Sequence, residues 1–251
     1  FRLEDIGCWG VSKVRPWSQV KHAANIKGDT IHVGSLHELC MEKGSELPEG
    51  DPNRKYKGRV VFLGDRVRDQ NGKAAIFEEL SSSPAALEAG KLCDLYGLLR
   101  KQSGGVNDTA NVGGAIGTAK SKGKSKGGVT DTAKEKEVEF EIQQSDAVQA
   151  YCQAKLKGKT TWIRLPPHRH PAGWDSINDP VVPLVLALYG HPCSGAYWEQ
   201  RCDEKILKEG WRRIGVAGEW RSCYYHDELD VLLCVYVDDF KMAGAPASLI
   251  E

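Results

Sequence analysis

Val231-Leu232-Leu233-Cys234-Val235-Tyr236-Val237-Asp238-Asp239-Phe240 is the stretch on which the reading of this chain turns. Seven apolar residues in a row read as a buried strand. That strand cannot run on through Asp238 and Asp239, because desolvating two unpaired carboxylates costs at least several kcal/mol. The two acids therefore sit at a turn or at a cation. A hairpin tip satisfies the pattern, and a bound divalent cation would explain two like charges side by side. Taken alone, an Asp-Asp pair reads as a solvated β-turn.

Working backwards along the chain, a second strand end carries an acid. Glu137-Val138-Glu139-Phe140-Glu141-Ile142 alternates with period two and leads into Ser145-Asp146, followed by a stretch read as helical as far as Gly158. Three carboxylates at two strand ends are what a two-metal phosphoryl-transfer site needs, one cation activating the attacking hydroxyl and the other holding the leaving phosphate. Further strands are expected at Thr161–Leu165, stopped by Pro166-Pro167, at 219–225 and at 230–237, while the apolar stretch 180–186 leads into Ala187-Leu188-Tyr189-Gly190. Ser194 is placed to cap a helix whose face includes Trp198, Cys202, Ile206 and Leu207, with Gly210 as its stop.

Four segments follow from this pass. Residues 1–55 are polar and weakly periodic and read as a weakly ordered N-terminal extension. Residues 56–100 hold the strand YKGRVVFL with its Gly64-Asp65 turn, then a helix opened by Ser83-Pro84 that carries Leu87, Leu92, Tyr96 and Leu99. Residues 101–137 lack aromatic side chains, repeat GGVNDTA as GGVTDTA, and read as a flexible Gly/Lys-rich insertion. Residues 138–251 contain all three carboxylates.

Composition excludes several classes. With 41% hydrophobic and 27% charged residues the chain is an ordinary globular sequence, and its 251 residues suggest one or two domains. Lys plus Arg and Asp plus Glu are equal at 34, so net charge gives no pointer to nucleic acid. No apolar run reaches membrane-spanning length and the first residues, FRLEDIGCWG, lack a secretory pattern, which sets the expectation of an intracellular protein with no membrane partner. The missing initiator Met and the stop at Glu251 suggest a piece of a larger product. The eight cysteines have no paired spacing and read as reduced thiols. His168, His170, His191 and Cys193 offer enough ligands for zinc but no ligand-pair spacing. No nucleophile elbow is present.

Tyr236-Val237-Asp238-Asp239 resembles the YVDD box of reverse transcriptases, and residues 56–244 resemble the reverse transcriptase domain of copia-type LTR retrotransposons. The likeness runs in order through Lys57-Gly58-Arg59-Val60-Val61, Asp146 to Tyr151, LKGKTTWIRLP from Leu156 to Pro166, and the Ala187-Leu188-Tyr189-Gly190 block, with Ser194 and Trp198 after it. After that block the family commonly has Lys-Gln-Ser-Pro, where this chain has His191-Pro192-Cys193-Ser194.

The resemblance implies an α+β fold, with a polymerase-like palm (an antiparallel sheet backed by helices) over 138–251 and a fingers subdomain over 56–100. Twelve residues follow Asp239, so it also implies that the thumb and any RNase H lie outside this chain. Asp146, Asp238 and Asp239 would be the catalytic and metal-binding acids for Mg2+, with Mn2+ as a substitute. Tyr151 would lie under the nucleotide sugar, Arg59 and Lys57 would hold the triphosphate, Tyr189 and Gly190 would line the nucleotide side, and Tyr236 and Val237 would meet the primer. Expected partners are an RNA or DNA template with its primer, deoxynucleoside triphosphates, and the rest of a polyprotein with integrase and RNase H. The expected location is a cytoplasmic particle or the nucleus. The competing reading is a retroelement-derived fragment without activity, at most a nonspecific nucleic-acid binder.

Overall fold

The computed structural model describes residues 2–77, 84–102, 140–215 and 220–249, and the 101–137 insertion lies almost wholly outside them. In chain order the elements are α1 (Arg2–Asp5), β1 (Arg15–Pro16), α2 (Trp17–Lys27), β2 (His32–Lys43), β3 (Lys55–Phe62), β4 (Arg68–Asp69), α3 (Leu87–Gln102), β5 (Glu141–Asp146), β6 (Thr161–Arg164), β7 (Pro180–Pro183), α4 (Ser194–Lys208), β8 (Arg212–Arg213), β9 (Cys223–His226), β10 (Val231–Tyr236), β11 (Asp239–Gly244) and α5 (Pro246–Leu249).

The apolar run is β10, and its residues Val231 to Val235 are all buried because it is covered on both faces. Leu232 and Cys234 point into a cluster with Ala89 and Cys93 of α3. Leu233 and Val235 point the other way, onto Trp198, Cys202 and Ile206 of α4. Both helices are built for this. Ala89, Cys93 and Gly97 recur every four residues, so α3 presents a row of small side chains and lies close on the sheet. A Cβ on Gly97 would come within 2.8 Å of Ile142. The bulky row of α4 has the same spacing. The sheet between them is antiparallel, ordered β5-β11-β10-β9-β8.

A second sheet is ordered β1-β7-β6-β2-β3, with β4 also pairing β2. Its core holds Cys8, Trp9, Leu36, Phe62, Ile163, Val182 and Leu188, and α2 closes one side with Val20 and Ala24 against Ile31, Val33 and Val181. β2 runs parallel to β6, His32 opposite Thr161, and antiparallel to β3.

Four sequence expectations are corrected here. Residues 2–55 are not an extension with little core: they supply β2, which joins β6 to β3, and part of the buried cluster. A boundary near 138 does not divide the chain spatially, since β6 and β7 return to the β1-β7-β6-β2-β3 sheet while α3 packs on the β5-β11-β10 strands. The helix expected after Asp146 is only a 3-10 turn at Ala150–Gln153, entered through Gln149 at φ 54°, a left-handed backbone that no helix accepts. Ser194 does not cap α4; its hydroxyl donates to the Leu188 carbonyl at 2.7 Å.

Two histidines are buried against the β1-β7-β6-β2-β3 sheet. Among the described residues both ring nitrogens of His32 and Nε2 of His191 have no hydrogen-bond partner, and both rings pack on Phe77. Burial, with His32 adding to it, pushes His191 down to about 4, and burial also lowers His32. The unfolded chain takes up these protons near pH 6.5 and the folded chain only at lower pH, so stability falls as pH drops below about 6.5. The slope approaches about 1.4 kcal/mol per pH unit for each histidine. His191→Phe keeps the ring contacts and is expected to remove about half of the slope, measured as denaturation midpoints between pH 7 and 5; an unchanged slope would place the acid sensitivity elsewhere.

Candidate active site

The turn between β10 and β11 has two residues. Tyr236 pairs with Asp239, leaving Val237 and Asp238 at the tip. On the other edge of β11, Asp239 stands directly opposite Asp146, the last residue of β5. Directly opposed residues share a face of a sheet, so the two carboxylates emerge side by side with Asp238 next to them. One oxygen from each of Asp146, Asp238 and Asp239 lies within 4.8 Å of the others, and all three residues are exposed.

Three like charges this close repel one another, and none of the three forms an ion pair among the described residues. Lys241, two residues beyond Asp239 on β11, is engaged elsewhere, 2.6 Å from Asp94 of α3. The donor set is oxygen only and anionic, which fits a hard divalent cation.

Holding the acids together requires an unfavourable backbone. Val237 has φ 58°, a left-handed conformation that β-branched residues rarely enter and that costs of order 1–2 kcal/mol. Two hydrogen bonds fix it: the Trp198 indole N–H donates to the Val237 carbonyl at 2.6 Å, and the Ala147 N–H donates to the Asp238 carbonyl at 2.7 Å. The tip is thus tied both to α4 and to the residue after Asp146. Trp198→Phe keeps the apolar ring but removes the first bond, and is expected to cost about 1–2 kcal/mol and to weaken divalent binding several-fold. Denaturant midpoints with and without Mg2+ read both; a variant as stable and as responsive as the parent would show that the indole does not brace the turn.

Beside the acids stand two tyrosines. The Tyr151 and Tyr189 rings are 5.7 Å apart at 49°. Tyr151 is half-buried, and burial, then Tyr189 and Asp238, raise its phenol above the ordinary value. Tyr189 is held from behind, its carbonyl accepting the Phe62 N–H at 2.8 Å. Gly190, at φ 90°, lies so close to β3 that a Cβ there would meet the Phe62 carbonyl at 2.2 Å. Tyr236 is exposed next to the turn. An open groove of about 420 Å³ between α3 and the β5-β11-β10 strands runs along the acids, lined by Gln144, Ser145, Asp146, Asp239, Lys241 and Leu87 among others.

Asp146, Asp238, Asp239, Tyr151 and Tyr189 are therefore brought together, with Gly190, Tyr236 and Val237 adjoining. Arg59 and Lys57 are exposed on β3, in the other sheet, and among the described residues neither forms an ion pair with the acids. Their setting was not foreseen. The register of β2 with β3 puts Lys43, Lys55, Lys57 and Arg59 on one face of the ribbon together with Leu39 and Met41, while Glu38 and Glu42 lie on the opposite face. The glutamates are paired there, Glu42 with Arg54 and Glu38 with Arg169 and His168. One face is thus cationic without acids. Period-two spacing of Lys55, Lys57 and Arg59 was the available signal; Lys43 needed the pairing.

The zinc reading is not met. His168 pairs with Glu38, His170 faces the Leu165 carbonyl at 3.1 Å, and His191 accepts the Cys193 N–H at 3.2 Å inside the core. Among the described residues the three aspartates are the single cluster able to hold a metal.

No protein-family model matches the chain, and no solved structure matches it. A stretch of 104 residues, 41% of the chain, is 31% identical to the Transposon Ty1-BL Gag-Pol polyprotein of Saccharomyces cerevisiae. The chain resembles part of a retrotransposon polyprotein. The Transposon Ty1-MR1 Gag-Pol polyprotein of the same yeast is likewise 31% identical over 104 residues. The match spans 5% of the length of each of these curated relatives. The likeness supports a copia-type retrotransposon origin for the chain. No helix among the described residues is long and apolar enough to cross a membrane.

Proposed function

We propose that the chain is an RNA-directed DNA polymerase, the reverse transcriptase part of a retrotransposon polyprotein, transferring nucleotides to a primer 3′-hydroxyl. The observation that carries this reading is the convergence of Asp146, Asp238 and Asp239 within 4.8 Å at one end of an antiparallel sheet. In this reading that sheet, with α3 and α4, is the palm, and the β2-β3 ribbon is part of the fingers.

Asp146 and Asp238 would hold the Mg2+ ions, with Asp239 beside them as the weaker ligand. When bound, the cations lower the pKa of the attacking hydroxyl and offset the charge of the leaving pyrophosphate. The chain itself positions the reactants. The Tyr151 ring lies under the sugar and excludes a 2′-hydroxyl, with Tyr189 and Gly190 closing that side. Arg59 and Lys57 take the triphosphate from the cationic ribbon face, a planar fork and a point charge respectively. Tyr236 and Val237 meet the primer end. Template, primer and deoxynucleoside triphosphates are the partners, together with the rest of the polyprotein, in a particle or the nucleus of the cell.

The test is extension of a DNA primer annealed to an RNA template by the 251-residue chain. Deoxynucleotide addition that needs Mg2+ and stops with a chelator is the expected result. No extension together with no shift of thermal midpoint on adding Mg2+ would overturn the reading and leave a retroelement-derived remnant.

A further inference from the structure

Eight cysteines are free, and six of them are buried. Three of the buried ones meet behind the acidic turn: Cys93 of α3, Cys223 of β9 and Cys234 of β10 share one apolar cluster. Polymerase chemistry as proposed above uses none of them.

The strand register sets two of the three apart. Cys223 and Cys234 stand directly opposite each other in the antiparallel β9-β10 pair. The next pair along exchanges a ladder bond, Val235 N–H to the Ser222 carbonyl at 2.9 Å, while the Cys223 carbonyl turns away to accept the Ile214 N–H on the β8 side. Cys223 and Cys234 are therefore a non-hydrogen-bonded pair, the type with Cα atoms only about 4.5 Å apart and side chains on the same face. That separation falls inside the range of about 4.4–6.8 Å that a disulfide spans. The Cys223 thiol donates to the Arg221 carbonyl at 3.4 Å and the Cys234 thiol to the Ala89 carbonyl at 3.3 Å. Cys93, by contrast, reaches Cys234 from a helix, and its own thiol donates to the Lys241 carbonyl at 3.6 Å. A small oxidant has a route in: Cys234 lines the open groove that also carries Asp146 and Asp239.

We propose that Cys223 and Cys234 form a reversible disulfide in the folded chain, with a hydroperoxide as oxidant, tying β9 to the strand that carries the acidic turn. The Cys234 sulfur attacks the peroxide; the S–O bond forms, the O–O bond breaks, and the alcohol or water leaves with the thiol proton, giving a sulfenic acid. The Cys223 sulfur then displaces the hydroxyl, forming the S–S bond and releasing water. Two electrons pass to the peroxide, one thiol hydrogen is lost from each cysteine, and no backbone rearrangement is needed because the register already matches. A dithiol reductant reverses the step.

The experiment treats the folded chain with hydrogen peroxide, blocks the remaining thiols, and maps the cross-links by mass spectrometry beside thermal melts with and without dithiothreitol. The expected result is a link between the Cys223 and Cys234 peptides, a loss of two hydrogens, and a midpoint raised by about 5 °C that dithiothreitol abolishes. Cys223→Ala and Cys234→Ala each remove the link and the shift, whereas Cys93→Ala retains both. Retention of all thiols under oxidant, a link that maps to Cys93 or to Cys8 and Cys152, or a link between two molecules would overturn the proposal. None of these readouts depends on polymerase activity, so failure here and failure of the polymerase reading are told apart.

Discussion

Asp238→Asn is expected to lower Mg2+-dependent primer extension by about 10³-fold or more, the loss that follows when a group placed to hold charge at a transition state is removed. The substitution keeps the size of the side chain and touches no packing, because Asp238 is exposed at the tip of a two-residue turn. What it removes is one of three anionic oxygens that stand within 4.8 Å of one another, without an ion pair among the described residues. The variant should therefore fold at least as well as the parent in the absence of divalent ions, since mutual repulsion falls. On the proposed reading the parent should gain stability from Mg2+ bound only by its folded form, and the variant should lose most of that gain. Melting both proteins across an Mg2+ series, alongside the extension assay, separates the outcomes. A variant that extends primers like the parent would show that the acids are a solvated turn, and one that is inactive because it melts early would make Asp238 structural. Asp146→Asn should behave in the same way, because the β5-β11 register sets it directly against Asp239.

The acidic turn was legible because its strand is covered on both faces. A run such as Val231 to Val237 has no place to put two charges except at its end, and the two-residue turn is there. Asp146 was harder. It sits at the close of a short and largely exposed strand, and its place beside Asp239 depends on pairing between residues that are far apart in sequence. The same difficulty hid the first 55 residues. Ile31, Val33 and Leu36 make a modest apolar pattern among polar neighbours, yet they are buried because β2 pairs in parallel with β6, more than a hundred residues downstream. No local signal announces such a partner. The stretch after Asp146 failed for a different reason: Ala147 to Tyr151 suits a helix by composition, but the Ala147 N–H is taken by the Asp238 carbonyl and Gln149 is turned left-handed. Here the needs of the turn override local propensity.

Gly190→Ala is expected to be the most damaging single-methyl change near the site, costing about 3 kcal/mol or more of stability. Two independent causes add. The backbone at Gly190 has φ 90°, outside the region an alanine occupies without strain, and a Cβ there would lie 2.2 Å from the Phe62 carbonyl and 2.7 Å from Val61. Neither obstacle is a flexible chain end. The Phe62 carbonyl belongs to β3, and the facing Gly64 is equally confined, its own Cβ position lying 2.3 Å from the Gly190 carbonyl. The loop can make room only by leaving β3, which breaks the bond from the Phe62 N–H to the Tyr189 carbonyl. Tyr189 then loses its backing and its contact with Tyr151, and through Tyr151 the effect reaches Asp238. A purely structural glycine would lower the denaturation midpoint and leave the kinetics of the folded fraction unchanged. Because this one positions Tyr189, the folded fraction should also show a nucleotide KM raised about ten-fold with a smaller change in kcat, the signature of lost positioning rather than lost acid chemistry. Tyr189→Phe in the parent chain, which keeps the ring and the backbone bond, should leave both values near those of the parent; if it instead reproduces the Gly190→Ala kinetics, the hydroxyl and not the loop anchor carries the effect.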